Sequence, residues 1–180
     1  MPIKITYFVH GTTTDNEKDL ATGWLPGELS ELGKKQAVEL GRLVADRKFD
    51  IVFCSDLKRA VDSARLGFKD KYEIIKDRRL REANYGIYSG QPENFKNNLT
   101  EYVNTAFPNG ESYQDVEKRM RNFCEFLKTN YSGKHIAIVA HQAPQLALDV
   151  ILKNKTWEQA IVDDWRHAKS WQPGWEYEIK

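Results

Sequence analysis

Ile3-Lys4-Ile5-Thr6-Tyr7-Phe8-Val9-His10-Gly11 decides the fold: seven residues dominated by β-branched and aromatic side chains, then two that break the run. A short apolar run that ends in a glycine-containing turn reads as a buried strand. His10 leaves that strand into Gly11-Thr12-Thr13-Thr14, and a histidine so placed is a candidate nucleophile.

Further strands are expected at Ile51–Cys54, 72–75 and 136–140, with a weaker one at Trp175–Ile179. Between the first two strands, Ala37, Leu40, Gly41 and Val44 recur with helical spacing, and Pro26-Gly27 separates that helix from the first loop. A second long helix is marked by Val116, Met120, Phe123 and Leu127, with a start signal at Ser112 and Gly133 beyond its end. Thr156 and Gln159 form a capping box for a short helix whose apolar face is Trp157, Ala160 and Ile161. This alternation of strand and helix predicts an α/β fold with a mostly parallel central sheet flanked by helices. Residues 86–110 carry prolines, glycines and asparagines with no clean period, and read as a loop-rich insertion near a site.

The 180 residues, 41% hydrophobic and 29% charged, suit a single domain spanning 1–180. The formal charge of +1 is mixed along the chain, which argues against nucleic acid as a partner and leaves room for a local cationic pocket for a small anion. Cys54 and Cys124 lie among apolar neighbours and read as buried free thiols. With neither a signal-peptide pattern nor an apolar run near the ~18 residues of a membrane span, a soluble, cytoplasmic protein with no membrane partner is expected.

In an open α/β sheet, ligands bind outside the carboxyl ends of the strands, so His10, Ser55 and His141, which end the first, second and fourth strands, are placed to converge. Arg59, four residues past Ser55, falls in the first turn of the next helix, where a guanidinium beside backbone N–H groups suits an oxyanion or phosphate. Glu82 follows the third strand and is a candidate proton carrier for the same crevice. Taken singly, each has an ordinary structural explanation: a hydrogen-bonded histidine, a surface arginine, an ion-paired glutamate beside Arg78, Arg79 and Arg81. Their joint order is what counts.

Six blocks, in order, resemble the histidine phosphatase superfamily, which includes the cofactor-dependent phosphoglycerate mutases, and the resemblance runs from residue 3 to about 150. They are Phe8-Val9-His10-Gly11 through Asn16; Thr22-Gly23-Trp24 with Leu29-Ser30-Glu31-Leu32-Gly33; Ser55-Asp56-Leu57-Lys58-Arg59-Ala60; Leu80-Arg81-Glu82 with Gly86; Gly110-Glu111-Ser112 with Asp115 and Arg119; and Ile138-Val139-Ala140-His141. The resemblance implies a phosphoglycerate mutase-like three-layer sandwich and two-step phosphoryl transfer through a phosphohistidine on His10. It implies that a loop carbonyl fixes the His10 tautomer, that Arg59 and protonated His141 grip the phosphoryl oxygens, and that Glu82 serves as acid and then base. Gly11, Asn16, Thr22, Gly23 and Tyr85 are the implied substrate-binding positions, a small phosphorylated metabolite the implied partner, and neither metal nor other cofactor is expected.

The departures are informative. Val9 stands where the family's motif has an arginine, and loss of one preorganised donor of that kind costs ~3 kcal/mol, on the order of 10²- to 10³-fold in rate. Lys58 and Arg81 are the candidates to replace it. Ala83 follows Glu82 where mutases have an arginine for the substrate carboxylate, which favours a phosphatase over a mutase. A non-catalytic binder of phosphorylated ligands is the alternative that loss of the motif arginine raises. A metal site built from His10, Glu82 and His141 is a remoter one, because ligand pairs at short spacing are absent. The Trp-rich end, Trp165, Trp171 and Trp175, lies beyond the resemblance and fits a closing strand, a lid or a homodimer contact.

Overall fold

Along β1 (Ile3–Val9), Ile3, Ile5 and Tyr7 enter one apolar core while Phe8 enters another, and the neighbouring strands alternate in the same way. In β2 (Ile51–Cys54), Ile51 and Phe53 oppose Val52 and Cys54; in β4 (His135–Ala140), Ile136, Ile138 and Ala140 oppose Ala137 and Val139. Strands apolar on both sides must be covered on both faces, and that requirement dictates three layers. In the computed structural model, which describes residues 1–180, a five-stranded sheet of order β3-β2-β4-β1-β5 forms the middle layer, with β3 at Ile74–Lys76 and β5 at Trp175–Ile179. The first four strands are mutually parallel, and β5 pairs antiparallel with β1.

One face carries α1 (Glu31–Leu43) and α2 (Lys58–Phe68) over the smaller core; the other carries α3 (Tyr113–Asn130), α4 (Gln142–Lys153) and α5 (Trp157–Val162) over the larger. A one-turn helix, α6 (Trp165–Ala168), leads toward β5. Both capping boxes form, at Ser112 with Asp115 and at Thr156 with Gln159. Among the expected elements the third strand starts two residues later and ends one later. Tyr72 packs its ring between Phe49 and Phe68 at 5.8 and 6.0 Å instead of joining the sheet, because an aromatic cluster buries it better than a sheet edge would.

Residues 86–110 have no strand or α-helix, only two 3₁₀ segments, Gly86–Tyr88 and Glu93–Tyr102. They are held by aromatic packing: Tyr85 meets Phe95 and Phe107 at 5.1 Å, and Tyr102 stacks on Phe107 at 3.9 Å. At the Trp-rich end, β5 is a closing strand that buries Tyr177 and Ile179 and leaves Glu176 and Glu178 exposed, charges that protect a sheet edge. No helix is long and apolar enough to cross a membrane.

Candidate active site

Parallel pairing of β1 with β4 puts Val9 opposite Ala140, so the next residue of each strand, His10 and His141, emerges side by side at the carboxyl edge. The His10 N–H continues the ladder to the Ala140 carbonyl at 3.1 Å, and the two imidazole rings lie 5.0 Å apart at 59°. Their separation is essentially the spacing between neighbouring strands.

The His10 Nδ1 lies 2.7 Å from the Gly11 carbonyl oxygen. A carbonyl only accepts, so Nδ1 carries the hydrogen and Nε2 presents a free lone pair. Burial, reinforced by the Arg59 charge, pulls the His10 pKa down to about 3, so the ring is neutral at ordinary pH. The loop that supplies the Gly11 carbonyl is clamped: the Gly11 N–H donates to Ser63 Oγ at 3.0 Å, and Gly33 packs so tightly on Thr12 that a Cβ there would sit 1.9 Å from the Thr12 carbonyl oxygen. This contact accounts for Gly33 at the start of α1.

His141 is 1% exposed, yet neither ring nitrogen has a hydrogen-bond partner. Buried polar atoms in folded proteins are almost always paired, so two unpaired nitrogens facing the nucleophile mark a place for a ligand oxygen. Burial, then the charge of Arg59 and the nearness of His10, lower the His141 pKa well below the usual range, which favours the neutral ring while no anion lies beside it. The backbone of His141 is fixed by Tyr7, whose hydroxyl donates to the His141 carbonyl at 2.7 Å and accepts its N–H at 3.0 Å.

Glu82 lines the same cleft. No side chain from its own N-cap residue closes the start of α4; the Gln142 and Ala143 N–H groups donate instead to the Glu82 carboxylate, at 3.2 and 2.9 Å. The Ala83 N–H adds a third bond at 2.9 Å. Behind it, the Glu82 carbonyl accepts from Trp24 Nε1 and Arg119 Nη2, at 2.7 and 3.0 Å. Arg119 also binds the Arg79 and Arg81 carbonyls and the Glu111 carboxylate, which explains why Gly110-Glu111-Ser112 and Arg119 travel with the Glu82 block. No group of three His, Cys, Asp or Glu side chains approaches metal-binding geometry. The Cys54 thiol lies in the smaller core, where burial pushes its pKa up to about 12, and is no nucleophile.

His10, Glu82 and His141 share a cleft of about 650 Å³ with Val9 and Asn16. The other expected positions are not on its wall. Arg59 is 2% exposed and donates to the Leu25 and Gly23 carbonyls at 3.0 and 2.8 Å, so it ties down the 22–27 loop beneath the histidines while its charge is felt by both. Thr22 donates to Asp15, and Tyr85 is buried in the aromatic cluster. Gly11 holds the His10 tautomer from an adjoining groove, which shares His10 with the cleft and is lined also by Leu40, Leu43 and Trp171. Lys58 and Arg81 do not replace the motif arginine: Lys58 pairs with Asp62 and Glu28 at the surface, and Arg81 forks onto Asp56 at 2.7 Å for both bonds while lying over Trp24. Lys96 and Arg166, which sequence reasoning did not single out, are on the cleft wall, as is Trp165 of the Trp-rich end.

A parallel sheet with two histidines at adjacent strand ends, a carboxylate in the same cleft and buried guanidinium charge below defines a protein built to handle a phosphoryl group. A profile of the histidine phosphatase superfamily (branch 1) matches residues 7–167, and the chain belongs to that family. It is 28% identical over 156 residues to phosphoserine phosphatase 1 of Hydrogenobacter thermophilus, covering 81% of this chain and 74% of that one. It is 31% identical over 169 residues to the 2,3-bisphosphoglycerate-dependent phosphoglycerate mutase of Rhizobium meliloti, covering 84% and 80%. The crystal structure of the alpha-ribazole phosphatase from Shigella flexneri superposes with a TM-score of 0.76 at 28% identity, covering 89% and 83%. Phosphatases and phosphoglycerate mutases are thus both among its relatives.

Proposed function

We propose that the protein hydrolyses phosphate monoesters of small metabolites through a phosphohistidine on His10. The observation that carries this reading is the pairing of a neutral His10, its Nε2 freed by the Gly11 carbonyl, with a buried His141 whose two nitrogens have no partner. His10 Nε2 attacks phosphorus, the bond from phosphorus to the ester oxygen breaks, and the leaving alkoxide takes a proton from Glu82. Water then attacks the phosphohistidine and gives a proton to the Glu82 carboxylate. The bond between phosphorus and nitrogen breaks and its electron pair returns to Nε2. His141 acts as a donor to the phosphoryl oxygens, and an arriving phosphate dianion favours its protonation.

Hydrolysis is favoured over a mutase reaction by Ala83, a small buried residue that occupies the position following Glu82 and offers no cation to a substrate carboxylate. The test is turnover of p-nitrophenyl phosphate together with trapping of an acid-labile phosphoenzyme. His10→Ala should abolish both, and a variant with normal turnover would overturn the mechanism. Unaltered phosphate binding with no turnover by the wild type on any phosphomonoester would favour a non-catalytic binding role instead.

A further inference from the structure

Val9 forms part of the cleft wall beside the nucleophile and brings no charge to it. Neither Lys58 nor Arg81 supplies one, because each is held by carboxylates outside the cleft. Arg59 spends two of its N–H groups on the Gly23 and Leu25 carbonyls and is absent from the cleft wall. Arg166 is on that wall, together with Val9, His10, Glu82 and His141.

The guanidinium of Arg166 is preorganised from behind. Nη1 donates to Asp164 Oδ1 at 2.8 Å, and Nη2 approaches Gln145 Oε1 at 3.4 Å. The Asp164 side chain is 1% exposed, and its other oxygen accepts from the Gln142 side-chain amide, on the residue whose N–H binds Glu82. The Arg166 fork lies 4.5 Å over the Trp165 ring, which stacks at 5.0 Å on Trp175 of β5, the strand paired with β1. Of five guanidinium N–H groups, two are spent on Asp164 and Gln145, which leaves three for a ligand in the cleft. An arginine whose plane is fixed and whose donors are partly free suits phosphate recognition. Its charge also reaches both histidines, contributing to their lowered pKa values.

We propose that Arg166 is a phosphate-binding residue of this site, supplying from α6 the cation that the family resemblance assigns to position 9. The proposal rests on the phosphoryl-transfer reading of the cleft. The bland alternative is that Arg166 only caps a one-turn helix through its bond to Asp164. Arg166→Gln separates the two, because a glutamine amide can still donate to Asp164 while carrying no charge.

The test measures inorganic phosphate and orthovanadate binding by calorimetry, together with kcat and KM on p-nitrophenyl phosphate, for Arg166→Gln, Arg166→Ala, Val9→Arg and the double variant Val9→Arg/Arg166→Gln. Circular dichroism and thermal unfolding accompany each. Arg166→Gln is expected to weaken phosphate and vanadate binding at least 10-fold and to lower kcat/KM by 10²- to 10³-fold, at an unfolding temperature close to wild type. Val9→Arg should recover most of the loss in the double variant, so that the gain it brings is larger without Arg166 than with it. Phosphate binding within twofold of wild type in Arg166→Gln would overturn the proposal, as would Val9→Arg raising activity by the same factor with and without Arg166. Should Arg166→Ala prove unstable, the Arg166→Gln binding result decides. A wild type that binds phosphate but turns over no ester would remove the hydrolase reading while leaving the Arg166 binding result to stand.

Discussion

Tyr7→Phe removes one oxygen atom and tests how the second histidine is held. The Tyr7 hydroxyl is the only partner of two backbone groups of His141: it donates to the carbonyl at 2.7 Å and accepts the N–H at 3.0 Å, in a region from which solvent is excluded. Phenylalanine fills almost the same volume, so packing is conserved and the loss is polar. A buried donor or acceptor left unpaired costs ~1–3 kcal/mol. With two such groups exposed to one void too small to hydrate both well, the loss should be about 2–4 kcal/mol, a large share of a typical domain stability of ~5–15 kcal/mol. Urea unfolding at pH 7 should show the midpoint falling with the slope unchanged. Because His141 is also the unpartnered group facing the phosphoryl site, vanadate affinity should fall in the same variant. A stability change below about 1 kcal/mol would refute the account, since it would mean that water or a relaxed backbone satisfies both groups.

Acid should destabilise the protein before its carboxylates titrate. His10 titrates near 3 in the fold and His141 is also depressed, while an unfolded chain takes up a proton on each near 6.5. As pH falls below about 6.5 the unfolded state therefore binds more protons, and stability that is full above that pH is lost at up to ~1.4 kcal/mol per pH unit for each histidine. Unfolding free energies between pH 6.5 and 5 should show this slope, and His10→Ala should roughly halve it; a flat profile in the wild type would contradict the buried neutral histidines. Gly33→Ala should destabilise the fold and lower turnover, although alanine is the better helix former by ~1 kcal/mol, because the new Cβ would sit 1.9 Å from the Thr12 carbonyl oxygen. A more stable, fully active Gly33→Ala would show that the loop can yield there.

The three-layer fold was legible because both of its determinants are local. Alternation in Ile3–Val9 and Ile51–Cys54 assigns each apolar side chain to one of two cores, and Ser112 and Thr156 announce their helices within three residues. Tyr72 escaped because its ring suits a strand and an aromatic cluster equally well, and only the positions of Phe49 and Phe68 choose between them. The two histidines were legible as strand ends, and their pairing follows from register alone. The cations were not. Arg59, Lys58, Arg81 and Arg166 carry the same charge in sequence, and what separates them is the acceptor each one meets: backbone carbonyls for Arg59, Asp62 and Glu28 for Lys58, Asp56 for Arg81, and a buried Asp164 for Arg166. Gly23 and Leu25 for Arg59, Glu28 for Lys58 and Asp56 for Arg81 lie 25 to 36 residues away, so no spacing rule reaches them, although Asp62 lies one helical turn from Lys58. Arg166 is different, since its anion is two residues back in Asp164-Trp165-Arg166, a pattern that reads as a helix start and nothing more. Only the sheet, by placing β5 beside β1 and Trp175 under Trp165, carries that ordinary cap to the mouth of the His10 cleft. A charge removed from one end of a motif can thus be supplied by a distant segment, and the replacement must be sought among the side chains that share the cavity wall.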